Sequence, residues 1–170
     1  MALPPPPNPP IDPDELRSAM ARFPTGVTIV TAPTAEGPAG LAANAVTSLS
    51  LDPPLMLACL DRGSRTLRAV EAAGRFGINV LPGGPAGEEL ARTFGRKIPI
   101  AEKWKDVAWA EAASVPRLDA AIVFVACRMR DVLAGGDHVI VTGEVEALGQ
   151  SAGEPLIFVD GSYRTVDADT

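Results

Sequence analysis

The chain has 170 residues, of which 46% are hydrophobic and 21% charged, and its formal net charge is −6 at pH 7. This length fits one domain, and the apolar content is enough for a hydrophobic core without cross-links. An acidic chain of this kind is not expected to bind nucleic acid, and no apolar run approaches the roughly 20 residues that cross a bilayer.

The numbers and positions of cysteine and histidine bear on whether the chain binds a metal or forms a disulfide. One His and two distant Cys do not have the spacing of a zinc site, so no metal is expected. Cys59 and Cys127 lie in apolar, strand-like runs, which favours inert core thiols over the alternative of a disulfide. Because the N-terminus lacks the basic region and apolar stretch of a signal peptide, a cytoplasmic protein is expected, with no membrane attachment.

The N-terminal end divides into a tail and the start of a domain. Residues 1–11 contain six Pro, which predicts a polyproline-like tail, with a docking ligand for a partner as the alternative. The domain is predicted over residues 12–166. Its first helix begins with Asp12 as a cap and Pro13 in the first turn, and Pro24 ends it.

Strands dominate the rest of the prediction. Turn residues separate predicted strands at 27–31, 41–50 and 55–60, and Asp52-Pro53-Pro54 forces the last turn. Ser64 then caps a helix that Gly74 ends. The remaining elements are a strand at 75–81, a helix at 86–94, a loop with some strand at 96–113, a long strand at 120–132, a hairpin turn at 135–137, a strand from 138, and a last strand at 155–159. This pattern predicts a mainly β fold, a closed Greek-key barrel with a few peripheral helices.

Two stretches bear on ligand binding from the residues alone, and one of them suits a ligand. The segment from Asp61 to Thr66 brings backbone amides, the hydroxyls of Ser64 and Thr66 and the guanidinium of Arg65 to a helix N-terminus, an arrangement that suits an anion, while a plain helix cap with a solvated Arg stays open as the alternative. The glycine-rich stretch from Gly83 fails the dinucleotide fingerprint, since Pro85 and Glu88 occupy its third and sixth places. Nicotinamide binding would therefore be of a non-Rossmann kind.

Three stretches carry a resemblance to a known family. They are FPTGVTIVT at 23–31, GLAANAVTSLSLDPPLMLACLDRGSRT at 40–66 and GDHVIVTGEV at 136–145. Together they resemble the flavin reductase-like family, whose members have an FMN-binding split β-barrel. The resemblance extends from Leu16 to Arg164. It implies an NAD(P)H-dependent flavin reductase that takes FMN or FAD with NADH or NADPH, forms a homodimer and supplies a partner flavin-dependent monooxygenase.

The resemblance also implies which residues bind the ligands. Ser64, Arg65 and Thr66 would contact the flavin phosphate or ribityl chain, with Asp61, Phe94, Arg96 and Lys97 beside them. Thr25, Gly26, Asn44, Ala45, Val46, Thr47 and Ser48 would lie along the flavin ring. His138, in Gly-Asp-His, would position the nicotinamide, with a proton role as a further possibility, and Tyr163 would help close that pocket.

Several alternatives stay open from sequence. Arg96 and Lys97 are also the cations expected at a helix C-terminus, Tyr163 is also explained by packing, and a lone His is often structural. For the whole chain, the alternative is a split-barrel module that binds FMN tightly without NAD(P)H turnover. A third hypothesis is an interaction module that uses the Pro-rich tail.

Overall fold

The computed structural model describes residues 10–166, which contain four helices and twelve strands. The helices are α1 (Pro13–Met20), α2 (Arg65–Ala73), α3 (Pro85–Gly95) and α4 (Ile100–Trp104). The first six strands are β1 (Thr25–Gly26), β2 (Thr28–Thr34), β3 (Gly37–Ala43), β4 (Val46–Leu51), β5 (Pro54–Asp61) and β6 (Arg75–Val80). The others are β7 (Trp109–Ala112), β8 (Val115–Leu118), β9 (Val123–Gly135), β10 (His138–Gln150), β11 (Leu156–Val159) and β12 (Ser162–Thr165). The prediction of a mainly β fold is confirmed.

A seven-stranded antiparallel sheet forms the frame, with strand order β3-β2-β6-β9-β10-β5-β4. Its two edge strands, β3 and β4, are consecutive in the chain, and only Asn44 and Ala45 join them. Three Cα–Cα steps of 3.8 Å span at most about 11 Å, so the two edges must approach each other. The sheet therefore curves into a split barrel. Strands β1, β11 and β12 form a second sheet, and β7 pairs with β8.

Two packed clusters fill the interior. One lies between the sheet and α2 and contains Val30, Val70 and Phe76, while the other lies beneath α3 and α4 and contains Phe94 and Trp104. All five side chains are at most 8% exposed. Because α2, α3 and α4 pack on the barrel, the loops that precede and follow them are held at its rim, where the candidate site lies.

The helix predicted from Ser64 to Gly74 is confirmed in detail. The Ser64 hydroxyl oxygen accepts a hydrogen bond from the backbone N–H of Leu67 at 3.0 Å. At the other end Gly74 has a left-handed φ of 64°, a conformation that glycine adopts without the steric cost of a Cβ. The helix therefore starts and ends where its capping residues predict.

Other boundaries differ from the predictions. Helix α1 ends at Met20, before the predicted stop at Pro24, and none of its residues is buried. The strand predicted at 41–50 is divided between β3 and β4 by the turn at Asn44 and Ala45. The strand predicted at 120–132 begins at Val123 and continues to Gly135.

The segment predicted as a loop at 96–113 contains helix α4 as well as strand β7, and β8 follows it. The helix has five residues and is anchored by the buried side chains of Lys103 and Trp104. Most of the predicted Pro-rich tail at 1–11 lies outside the described residues, so the boundary between tail and domain stays a prediction. Within residues 10–166, every helix is too short or too polar to cross a membrane.

Candidate functional site

Three neighbouring cavities follow strand β3 across the rim of the barrel. The first, here called the cationic cavity, has a volume of about 380 Å³ and includes Gly40 and Ala42 in its wall. The second, the apolar cavity, has about 900 Å³ and includes Asn44 and Phe158. A connecting cavity of about 180 Å³ shares Ala42 with the first and Asn44 and Phe158 with the second. One trough therefore runs along β3 and continues into β4.

The cationic cavity gathers every residue predicted to bind the phosphate. Its lining includes Asp61, Ser64, Arg65, Thr66, Phe94, Arg96 and Lys97, together with Lys103, which was not predicted. Four of these side chains are cationic and one is acidic, in a chain whose net charge is −6. The local charge is therefore opposite in sign to that of the whole protein.

The turn before α2 supplies the backbone donors of this cavity. Asp61 shapes the turn, because its Oδ1 accepts the N–H of Gly63 at 2.6 Å and its carbonyl accepts the N–H of Ser64 at 3.0 Å. The Ser64 oxygen caps the helix, and its hydroxyl proton remains free to donate. The first-turn amides of Arg65 and Thr66 have no intrahelical acceptor. Together these donors and the helix dipole suit an anion.

A strap at residues 94–98 forms the opposite wall and carries Arg96 and Lys97. The Arg65 guanidinium donates from Nη2 to the carbonyl of Ile98 at 2.8 Å, and Lys103 Nζ donates to the carbonyl of Phe94 at 2.9 Å. The strap is thus tied at both ends by cations of the cavity itself. Both Arg96 and Lys97 are exposed at its mouth.

Lys103 is the main residue that sequence reasoning missed. Its residue is 9% exposed, and its pKa is lowered, first by burial and then by the nearby charge of Arg65. Residues 96–113 are predicted as a loop with some strand, so the sequence does not place Lys103 on a helix beside the site. The apolar residues Ile100 and Trp104, four positions apart after Pro99, were the available signal for a helical turn with Lys103 beside Trp104.

The apolar cavity gathers most residues predicted to lie along the flavin ring. Its lining includes Thr25, Gly26, Asn44, Ala45, Val46 and Thr47, and also Arg17, Met20, Phe23, Leu57, Cys59 and Phe158, which were not predicted there. Within the described part of the chain, the buried Thr25 Oγ1 has no hydrogen-bond partner. Ser48, on strand β4, is exposed and absent from the lining of the cavities along β3.

The two cysteines have different environments, and both are free thiols. Cys127 is buried, and its pKa is raised to about 12, mainly by burial and also by the charge of Glu146. Cys59 is only partly buried and lines the apolar cavity. The predicted core location is therefore wrong for Cys59 and confirmed for Cys127, and the structure has no disulfide between them.

His138 lies beside the cationic cavity, paired across the strands with Asp61. Its Nδ1 is 2.8 Å from Asp137 Oδ1, and this hydrogen bond is the main reason that the pKa of Asp137 is lowered. Arg62 ties the two turns together, since its Nε donates to the His138 carbonyl at 3.3 Å. A carboxylate at Nδ1 favours a proton there and leaves Nε2 free. Among the described residues, none of the cavities along β3 has His138 in its wall.

Tyr163 lines the connecting cavity and also packs against its neighbours. Its ring centroid is 5.2 Å from that of Phe158, and the Arg92 guanidinium lies 5.0 Å from the Tyr163 ring centroid. The packing interpretation is confirmed, and the role of Tyr163 in closing the nicotinamide pocket stays a prediction. No group of three or more potential metal ligands occurs among residues 10–166.

Similarity to known proteins agrees with this geometry. Residues 20–167 match the family described as "Flavin reductase like domain". A "Probable flavin reductase" of Rhizobium meliloti (strain 1021) is 40% identical over 156 residues, which cover 91% of this chain and 49% of that protein. The chain thus spans about half the length of this relative.

Two further relatives match over most of their length. The reductase subunit HsaB of a flavin-dependent monooxygenase from Mycobacterium tuberculosis (strain CDC 1551 / Oshkosh) is 35% identical, and the match covers 94% of this chain and 85% of HsaB. The structure of the NADH:FAD oxidoreductase SgcE6 of Streptomyces globisporus C-1027, in complex with NAD and FAD fragments, superposes with a TM-score of 0.85 at 32% identity, covering 95% of this chain and 99% of that chain. The chain therefore belongs to the flavin reductase-like family and has its split-barrel fold.

Proposed function

We propose that the chain is an NAD(P)H-dependent flavin reductase that takes FMN, with FAD as the alternative flavin. The observation that carries this proposal is the trough along β3, which joins a cation-lined end to an apolar end. A flavin mononucleotide has the same polarity along its length, with a dianionic phosphate, a polar ribityl chain and a flat aromatic ring. The cationic and apolar cavities also have volumes within the range of ligand sites in proteins.

The residues divide between the two ends of that ligand. At the phosphate end, the amides of Arg65 and Thr66, the Ser64 hydroxyl and the side chains of Arg65, Arg96 and Lys97 would donate or supply charge, while Asp61 shapes the turn and Phe94 forms the wall. At the ring end, Thr25, Gly26, Asn44, Ala45, Val46 and Thr47 would contact the ring, with Ser48 beside them. The unpartnered Thr25 Oγ1 supports this assignment, because a buried hydroxyl is normally hydrogen-bonded.

The bound flavin supplies the hydride-accepting chemistry, so the chain contributes binding and orientation. His138 would hold the nicotinamide near the site, with Asp137 keeping its Nδ1 occupied and its Nε2 free. Tyr163 would limit the space of the connecting cavity. NADH and NADPH are both candidates as the hydride donor.

A homodimer is proposed as the working assembly, with a flavin-dependent monooxygenase as the partner that receives reduced flavin. A symmetric pair is the commonest oligomer of soluble proteins, which supports the homodimer. The similarity to HsaB, named as a monooxygenase reductase subunit, supports the partner class. The cytoplasm is the proposed location, since a supply of reduced NAD(P)H is required.

The test is anaerobic mixing of the purified protein with FMN and NADH or NADPH, while the absorbance of oxidised flavin is followed. Rapid loss of absorbance is expected with at least one donor. A His138→Ala variant should lose about 10-fold or more in rate, equivalent to about 1.4 kcal/mol of barrier. Tight FMN binding with no bleaching by either donor would contradict the reductase and favour the alternative of a binding module.

A further inference from the structure

Lys103 is a buried cation without a counter-charge. Its residue is 9% exposed, and its single hydrogen bond within residues 10–166 is to a neutral acceptor, the Phe94 carbonyl at 2.9 Å. The described part of the chain contains no ion pair to Lys103. Buried lysines are rare unless they are paired, because transfer of the charge from water is costly.

The surroundings of Lys103 add positive charge. Arg65, Arg96 and Lys97 line the same cavity, and the charge of Arg65 contributes to the lowered pKa of Lys103. Asp61 is the one carboxylate in the lining, and its Oδ1 accepts the N–H of Gly63 at 2.6 Å within its own turn. The protein therefore leaves this group of cations with an excess of positive charge that an anionic ligand would balance.

Lys103 also contacts the end of α3, next to the segment that carries two of the other cations. It donates a hydrogen bond to the Phe94 carbonyl in the last turn of α3, where the strap at residues 94–98 begins, and Arg65 donates to the Ile98 carbonyl at the other end. Arg96 and Lys97 lie between these two anchors. A change at Lys103 therefore alters both the charge at the back of the cavity and the position of the cations at its mouth.

We propose that Lys103 is a positioning residue that selects flavins with a phosphate group, by supplying buried positive charge behind the phosphate and by anchoring the strap that carries Arg96 and Lys97. This inference rests on the proposed function. It adds the prediction that the chain discriminates FMN from riboflavin, which has the same ring and ribityl chain without the phosphate, and that Lys103 is responsible for a large share of this discrimination.

The experiment compares the dissociation constants of FMN and riboflavin for the native protein, Lys103→Met and Lys103→Gln. Lys103→Met should weaken FMN binding by about 10-fold or more, the effect of one charge-assisted interaction, and leave riboflavin binding within about 2-fold. Lys103→Gln keeps an amide donor for the Phe94 carbonyl but removes the charge, so an equal loss of FMN selectivity in both variants would assign the effect to charge. Lys105→Met is the matched control, because Lys105 is an exposed lysine at the C-terminal end of the same helix. This variant should change neither dissociation constant.

The outcomes separate this inference from the proposed function. If native protein binds FMN but both Lys103 variants keep the native ratio of FMN to riboflavin affinity, the inference is wrong and the reductase proposal stands. An equal loss for both flavins, with a lowered melting temperature, would assign Lys103 a structural role only and would also overturn it. If native protein binds no flavin, the proposed function itself fails. Should Lys103→Met not fold, the Lys103→Gln ratio decides.

Discussion

The cationic and apolar cavities lie along the same strand but are built differently. Side-chain hydrogen bonds to backbone groups hold the walls of the cationic cavity, through Ser64, Arg65 and Lys103. The apolar cavity is lined by the segment from α1 to β1 and by the turn between β3 and β4, where Asn44 and Ala45 are exposed and the Cys59 N–H donates to the Ala45 carbonyl at 2.9 Å. The comparison indicates that the cationic end is preorganised for charge, while the apolar end leaves room for a flat ring and a second molecule.

The largest effect is expected from Arg65, because it acts on both walls of the cationic cavity. Arg65→Met removes a cation and also releases the carbonyl of Ile98 from its hydrogen bond at 2.8 Å. The loss of charge-assisted hydrogen bonds should cost about 2–3 kcal/mol, a 30- to 150-fold weakening of FMN binding. Quenching of flavin fluorescence measures the dissociation constant.

Arg68→Met is the control for this variant, since Arg68 is exposed on the same helix and does not line the cavity. It should bind FMN as the native protein does. If Arg65→Met and Arg68→Met behaved alike, the phosphate would not bind at the N-terminus of α2. An equal loss of riboflavin binding in Arg65→Met would indicate collapse of the strap rather than loss of a phosphate contact.

One glycine in the wall of each cavity shows how tightly that wall is packed. A Cβ at Gly40 would lie 2.7 Å from Phe94 Cε1 and 3.0 Å from Trp104 Cζ2, whereas a Cβ at Gly26, in the apolar cavity, would meet nothing within 4 Å. The buried rings of Phe94 and Trp104 pack edge to face at 4.9 Å and have little space to move. Gly40→Ala should therefore lower the free energy of unfolding by about 1–3 kcal/mol.

Gly26→Ala should leave the free energy of unfolding within about 0.5 kcal/mol of the native value. Urea unfolding monitored by tryptophan fluorescence measures both variants, and the emission of Trp104 should also respond to a shift of Phe94. Equal stability of the two variants would contradict the description of the cationic cavity as the more tightly walled of the two.

The smallest effect is expected from chemical modification of Cys59, the thiol that lines the apolar cavity. A maleimide or a disulfide reagent at neutral pH should modify about one thiol per native chain, at Cys59, because Cys127 is buried and its pKa is raised to about 12. Saturating FMN should slow the modification several-fold if the flavin occupies the apolar cavity. Mass spectrometry of peptides identifies the modified residue.

Cys59→Ser is the control, and it should abolish labelling of the native protein while leaving Cys127 reactive after unfolding. Labelling of Cys127 in the native state would contradict its buried position. Labelling of Cys59 at the same rate with and without FMN would place the flavin ring elsewhere.

Short sequence patterns around helix α2 predicted the part of the cationic cavity at the N-terminus of this helix. The Ser64 cap, the Gly74 terminus and the cations of the helix start are properties of a few adjacent residues, so the sequence indicates both the helix and an anion site at its N-terminus. Lys103 was not predicted as part of the site, although it is only a few residues beyond the predicted Lys97. Its role depends on a helix of five residues whose anchoring comes from burial, which a short sequence window does not reveal.

The apolar end was predicted less completely, because the sequence of an apolar strand does not show which of its two faces lines a cavity and which faces the core. The run at residues 55–60 is apolar on both faces, which predicts burial of all its residues. Instead Leu57 and Cys59 line the cavity, while Ala58 and Leu60 point into the core. The alternation is present in the structure, but an apolar cavity and an apolar core have the same signature in sequence.

The sequence by itself determined the fold class, the capped helix α2 and the family, because capping, turn residues and strand periodicity act over short distances. Only the tertiary structure decided that Lys103 lines the same cavity as Arg65 and that His138 pairs with Asp61. These residues are separated by tens of positions, and the pairing of β10 with β5 and the packing of α2 and α4 on β3 bring them together. Their proximity depends on packing of the whole sheet, which no single segment encodes.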